Sequence, residues 1–360
     1  MNTSTDAATT PPASAAPPEQ RPRRPRPSAS PAAWLRRITH RSGGEHLGLL
    51  LVLALLIVVL TFTAPHFLTQ SNLLDIARQL SFTGIIALGM TLLIAAGEID
   101  ISVGSGIAFA SSLCGVLVVE QGWPLWLAAL AVCLVGTLIG AGAGLVRARL
   151  GIPSFIVTLA LFSALSGLAL LITDAMPIPI TDEGFGNWGN GSVLGVPVPA
   201  LIFLGVFAVL WTVANRTPFG RSVYVIGGNA EAALLSGIPV VRVRTLLFAL
   251  TGLLAAASGL LQTAQLGAGM PTIGGGVEFA VITAVIVGGA SLYGGRGSLV
   301  GTLLGVVFIG VLNNGMVLLG VNTYAQYVAN GALVLLAVLV GALRAGVRGP
   351  GTGLAAAGGR

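Results

Sequence analysis

Lysine is absent from all 360 residues, and the 18 basic side chains other than histidine are all arginine. A nucleotide-binding P-loop uses a lysine to reach the β- and γ-phosphates, so this polypeptide has no ordinary Walker A site. If ATP drives its work, the ATPase is another chain. Charge of either sign is scarce. Only 8% of residues are charged, against about 25% in an ordinary soluble domain. With 54% hydrophobic residues and a mean hydropathy of +0.92, a soluble globular protein is excluded. Histidine occurs three times (His40, His46, His66), all toward the N-terminal end, and no HExxH or Ser-His or Cys-His pairing is available. A non-catalytic chain with no metal site is therefore expected. The two cysteines, Cys114 and Cys133, sit in apolar runs and read as small packing residues rather than a disulfide or a metal pair.

What fills the chain is apolar length. Ten segments stand out, at 47–64, 80–97, 101–119, 124–146, 153–173, 196–214, 244–267, 277–290, 298–318 and 325–343. Several approach the roughly 20 residues that cross a bilayer, and backbone in lipid must satisfy itself, so helices are expected throughout. The expected fold is an all-α polytopic membrane protein with about ten transmembrane helices and both termini cytoplasmic. Arginine placement supports that alternation. With the N-terminus inside, every arginine but Arg78 falls in an inner segment or at its border, while the outer loops collect Asp75, Glu120, Asp174, Asp182 and Glu183. Residues 1–46, rich in Pro, Ala, Ser and Thr around a basic PRRPRP cluster, read as a disordered cytoplasmic arm without a cleavable signal peptide. Residues 47–343 form the membrane domain and 344–360 a cytoplasmic tail.

Glycine is abundant, at 51 residues. Gly136, Gly140 and Gly144 repeat at four-residue spacing, as do Gly301 and Gly305, which is the pattern that lets helices pack closely in lipid. The polar, acidic stretch 174–195, with Trp188, reads as the main outer loop, either a plain connection or a surface for an outside partner.

Three places carry candidate function. The polar interruption 217–244 contains a short helix signal: Asn229 as N-cap, helix formers from Ala230 to Ser236, then Gly237 and Pro239 as a stop. In GMTLLIAAGEIDISVG, Glu98 and Asp100 sit at a seam between two apolar segments. A charge inside a span costs about 2.5–3.5 kcal/mol on insertion scales, so the pair marks a cap or turn, or a gate or pathway. A proton relay lacks a nearby His or Arg, and Asp100 fits an N-cap of the next helix. Glu278, Asn313, Asn314 and Asn330 are the polar positions of the last segments; they either bond neighbouring helices or line a water-filled path, and Glu278 reads equally as interfacial. The glycines of GGASLYGGRGSLVG lack the strand that a phosphate cradle needs and read as a tight turn holding Arg296.

Several of these stretches, GMTLLIAAGEIDISVGS, GIPSFIVTLALFSALSGLAL, TPFGRSVYVIGGNAEAALLSGI, VEFAVITAVIVGGASLYGGRGSLVGTLLG and NNGMVLLG, together resemble the permease subunit of ribose-type carbohydrate ABC importers from about residue 47 to 343. The resemblance implies a multi-pass subunit of a bacterial-type inner membrane that forms the path for a sugar or sugar-like solute of the ribose, xylose or inositol type. It implies no cofactor in this chain, with ATP and Mg bound by a cytosolic ABC ATPase subunit. Further partners implied are a second permease copy or a sibling permease and an extracytoplasmic solute-binding protein, without nucleic acid. It assigns ATPase coupling to Gly227, Gly228, Asn229, Glu231, Ala232, Ala233, Ser236, Gly237 and Ile238. Nucleosides, autoinducer-like compounds and branched-chain amino acids remain alternative solutes, and an ion-coupled secondary transporter a more distant one. Where the family often has Gly-Gly-Ile-Asp, this chain has Gly97-Glu98-Ile99-Asp100.

Overall fold

The computed structural model describes Asn2 and residues 31–346; most of the proline-rich arm and of the C-terminal tail lie outside the described residues. Helix α1 (Pro31–Thr63) starts inside the stretch expected to be disordered. Its residues up to Ser42 belong to a separate N-terminal unit, and the membrane-embedded unit begins at Gly43.

The second unit is built almost wholly of helices: α2 (Gln70–Ala95), α3 (Val103–Gly115, prolonged by a π-helical turn, Val116–Glu120), α4 (Leu125–Leu150), α5 (Ser154–Leu171), α6 (Glu183–Asn190), α7 (Val198–Arg216), α8 (Pro218–Gly228), α9 (Ala230–Leu235), α10 (Val240–Leu266), α11 (Val277–Val287), α12 (Leu299–Leu318) and α13 (Thr323–Gly346). Among the described residues, seven are long and apolar enough to cross a membrane: α2, α3 with its π turn, α4, α5, α7, α10 and α12. Leu47–Thr63 of α1, α11 and Thr323–Leu339 of α13 are shorter apolar helices. The chain is an all-α polytopic membrane protein.

The helix ends follow local chemistry. Thr69 accepts a hydrogen bond from the Asn72 amide to open α2, and Ser298 one from the Gly301 amide to open α12. Gly151 and Gly267, at φ +68° and +67°, end α4 and α10 in the left-handed conformation that glycine adopts without strain. The apolar pattern hides the polar first turns of α2, which begins ten residues before the apolar segment at 80–97.

Burial separates the core from the lipid-facing helices. The most apolar stretch of α2 is 72% buried and that of α10 50%, whereas α4, α5 and α7 reach only 28%, 17% and 28%. Exposed Leu130, Leu134 and Leu138 on α4 would be a liability in water; against lipid they need no cover. Within the core, helices approach at glycines. A Cβ on Gly136 would stand 2.7 Å from the Ala256 methyl and 2.8 Å from the Gly252 carbonyl oxygen. One on Gly140 would collide with the Phe248 carbonyl, and one on Gly144 would lie 2.8 Å from Thr245 Cα. Gly252 answers against the Gly136 carbonyl, so α4 and α10 run antiparallel, backbone on backbone. The second repeat behaves alike, Gly305 closing on Ala284 of α11.

The expected outer loop 174–195 is not a bare connection. It holds α6, a two-residue strand β1 (Ile178–Pro179) and β2 (Ser192–Val193), which turns back onto β3 (Val196–Pro197). β1 pairs antiparallel with β4 (Ala268–Gly269), and Asn190 donates to the Gln265 carbonyl at 3.0 Å, so the segment is fastened to the end of α10.

The glycine seam generates a paired expectation. Gly140→Ala should lower unfolding stability in detergent by about 1–3 kcal/mol through overpacking. Gly142→Ala, whose added methyl meets nothing within 4 Å, should leave the melting curve at or slightly above that of the parent. Indistinguishable thermal melts would overturn the account of the seam.

Candidate functional site

The sequence-predicted short helix is present and closed at both ends. Asn229, in extended backbone, follows α8 and accepts hydrogen bonds at Oδ1 from the amides of Glu231 and Ala232, both at 3.0 Å. At the far end Gly237 (φ +81°) donates to the Leu234 carbonyl at 2.9 Å, and Ile238 donates to that of Ala233 at 3.0 Å. This is the Schellman arrangement, with Pro239 preventing continuation. The Ser236 hydroxyl adds a bond to the Ala232 carbonyl at 2.8 Å. A six-residue helix has little stability by itself, so these caps define it.

Of the nine residues assigned to coupling, Ala233 is buried, Gly227 and Ile238 are half-buried, and Gly228, Asn229, Glu231, Ala232, Ser236 and Gly237 are exposed. The sequence reading passed over Leu234 and Leu235, which are 61% and 84% exposed on the same helix. The available signal was two adjacent leucines in a polar loop, too few to lie on one buried face.

Gly227 fixes where this segment meets the bundle. A Cβ there would overlap the Ala95 carbonyl and stand 2.5 Å from the Gly295 amide nitrogen. Gly295 donates to the Ala95 carbonyl at 2.8 Å, and Gly294 lies against Gly97. The turn around Arg296 is tight, as expected: Ser291 donates to the Arg296 carbonyl and Gly294 to that of Ser291. Three chain reversals thus touch through backbone alone, at the end of the bundle where Arg147, Arg244 and Arg296 also lie.

One turn further, Ala96–Ser102 connects α2 to α3. Gly97 (φ +79°) ends α2 in a second Schellman motif, with the Glu98 amide on the Leu93 carbonyl. Glu98 is 1% exposed. The expectation that no arginine lies near it is corrected: Arg147 Nε, in the last turn of α4, donates to Oε2 at 2.8 Å, and Arg244 Nε, near the start of α10, stands 2.8 Å from Oε1. The second contact is ionic but off the N–H axis, so it is not a directed hydrogen bond. Sequence reading missed these partners because both arrive from remote helix ends.

Asp100 is also corrected. It does not cap α3 directly; the cap position is Ser102, and Asp100 Oδ1 accepts from the Ser102 amide (2.9 Å) and hydroxyl (2.6 Å). Its other oxygen accepts from the Thr251 hydroxyl of α10 at 3.0 Å. Burial pushes this carboxyl above the ordinary carboxylate range, and the bonds from Ser102 and Thr251 pull it back. Ser154 at the start of α5 accepts from the Ile99 amide at 3.3 Å. The loop therefore joins α2, α3, α4, α5 and α10. Beside it a narrow cleft runs between α3, α4 and α10, lined by Asp100, Ser102, Phe109, Val132 and Ile139.

The remaining candidates do not converge on this loop. Glu278 is 3% exposed in the first turn of α11, and a Cβ on Gly104 would touch its carboxyl. Asn314 exchanges amide hydrogen bonds with Asn72 of α2, at 2.7 and 3.0 Å, and is thereby occupied in joining two helices. Asn313 keeps a buried side-chain oxygen without a protein partner, and Asn330 is half-buried on α13.

Asn229→Ala should remove about 1 kcal/mol of cap stability. Hydrogen exchange of the Glu231 and Ala232 amides is then expected to speed up about fivefold. Unchanged exchange would mean that the cap does not hold the helix.

Residues 72–343 match the family described as branched-chain amino acid transport system / permease component. Among similar proteins, the probable ABC transporter permease protein YphD of Escherichia coli (strain K12) is 48% identical, over 83% of this chain and 90% of its own. The ribose import permease protein RbsC of Bacillus subtilis (strain 168) is 43% identical over 82% and 92%, respectively. The L-arabinose ABC transporter permease protein AraH of Azospirillum brasilense is 35% identical over 87% and 94%. No solved structure matches the chain significantly.

Proposed function

The chain belongs to the branched-chain amino acid transport system permease family, and from that premise we propose that it is the membrane subunit of an ATP-driven importer carrying a ribose- or arabinose-like sugar across a bacterial inner membrane. Sugar is preferred to the amino acids of the family's description because two of the similar proteins named above are a ribose permease and an L-arabinose permease. Ten crossings with both ends in the cytosol are supported by the arginine-bearing turns that gather at one end of the bundle. Residues 47–343 are then the permease domain, between a cytosolic arm (1–46) and a cytosolic tail (344–360).

The observation that carries the proposal is α9. α9 is a short exposed helix, capped at both ends, with two leucines turned outward. Exposed apolar groups rimmed by polar ones mark a protein contact, and a lysine-free permease needs a separate ATPase, which would hold ATP and Mg. We assign Gly227 to Ile238, with Leu234 and Leu235 added, to that contact. A second permease copy or a sibling completes the path, and an extracytoplasmic binding protein delivers the solute. Asn313 and Asn330 suit the path, because Asn313 retains an unpaired oxygen and Asn330 a half-exposed amide that a sugar hydroxyl can engage. Asn314 positions α12, Glu278 holds the start of α11 against α3, and Glu98 and Asp100 form the inner gate.

Proteoliposomes holding the chain, its ATPase subunit and binding protein should take up D-ribose or L-arabinose only with ATP inside. Uptake by the chain alone, driven by an ion gradient, would sink this reading. Replacing Leu234 and Leu235 together by alanine should weaken ATPase binding by about 2 kcal/mol or more, at least about thirtyfold in Kd. Glu231→Arg should also impair docking while membrane insertion persists. Parent-level binding in both variants would move the contact elsewhere.

A further inference from the structure

Motion that enters at the docking segment must leave it through the bundle, and the reading of α8–α9 as that segment is the footing for the next step. We propose that Glu98 is a transmission residue. By holding Arg147 and Arg244 on one buried carboxylate, it makes the ends of α4 and α10 follow the end of α2 whenever the docking segment is displaced.

The input is the backbone contact of Gly227 with Ala95 and Gly295. No side chain cushions it, so a shift of α8 reaches the last turn of α2 undamped. Three residues beyond Ala95 lies Glu98, 2.8 Å from the Nε atoms of both arginines, whose own side chains are only 19% and 15% exposed. Removing the carboxylate would leave two guanidinium groups facing each other in a region of low dielectric, which is strongly unfavourable. The three groups therefore part reluctantly and are better moved together.

The output has matching geometry. α4 and α10 already interlock at Gly136, Gly140 and Gly252, and a joint movement preserves that seam. Asp100, two residues from Glu98, grips α10 through Thr251 and organises the start of α3 through Ser102. The helices around that cleft thus form one block attached to one loop.

The test uses the assembled complex with its ATPase. Spin labels go at Arg149→Cys and Arg242→Cys, both exposed near the ends of α4 and α10, with Cys114→Ala and Cys133→Ala as background. In the parent the label separation should be the same with and without vanadate-trapped nucleotide. In Glu98→Gln it should change on trapping, while the ATPase still binds, since Glu98 is buried. D-ribose moved per ATP should fall about tenfold in Glu98→Gln, within the lower half of the range of ordinary coupling energies. Glu98→Asp, which restores the charge, should recover most of it. If Glu98→Gln fails to assemble, Arg147→Lys, which keeps the charge but loses the fork, should show the same change on trapping in weaker form. Parent labels that separate on trapping, or a Glu98→Gln complex whose labels hold still and whose transport ratio is unchanged, would overturn the proposal. A label at Ser236→Cys on α9 that never responds to nucleotide, or a parent that binds no ATPase, would instead overturn the docking assignment.

Discussion

One carboxylate sets the terms for the arginine-rich end of this protein. Glu98 is sealed from solvent, and an ion so placed is tolerated only where opposite charge is supplied at close range. Supplying it requires α4 and α10 to bring Arg147 and Arg244 to the same point. That fixes how the two helices end relative to α2. Asp100 imposes a parallel demand two residues later, recruiting Thr251 from α10 and the start of α3. The loop Ala96–Ser102 is therefore a node at which five helices are tied by polar bonds within an otherwise apolar molecule.

Glycine serves the same end by different means. Lipid gives helices no hydrophobic reason to associate, so the bundle relies on close packing and polar bonds between helices. Along α4 and α10 the absent side chains let two helices touch over several turns. At Gly227, Gly294 and Gly97 they let three chain reversals meet. The first arrangement makes a stiff pair; the second makes a stiff joint between that pair's anchor and an exposed helix. Continuous contact from the exposed helix to the membrane interior follows from these two uses of one residue type.

The sequence made the helices and the short capped element legible because their signals are local. Asn229 and Gly237 act on residues two to four positions away, and a pattern read along the chain contains both ends of each bond. Glu98 was opaque for the opposite reason: Arg147 is 49 residues off, and only folding reveals that the ends of α4 and α10 arrive there. Asp100 was read two residues out of place, since an acidic residue before Ile-Ser suits a direct cap as well as the Ser102-mediated turn that forms. The burial of Glu278 was hidden because the residue that covers it, Gly104 of α3, is remote in the chain. Leu234 and Leu235 stood in plain sight, but exposure is a property of the folded surface.

The arginine complement of the node carries one more implication. Acylation enzymes in the cytosol rewrite protein charge chiefly at lysine amines, and this chain has none to offer. Neither the cations that clasp Glu98 nor those scattered around the short exposed helix α9 can be neutralised by that route after synthesis. Metabolic states that acetylate neighbouring proteins leave the electrostatics of this face as translation made them.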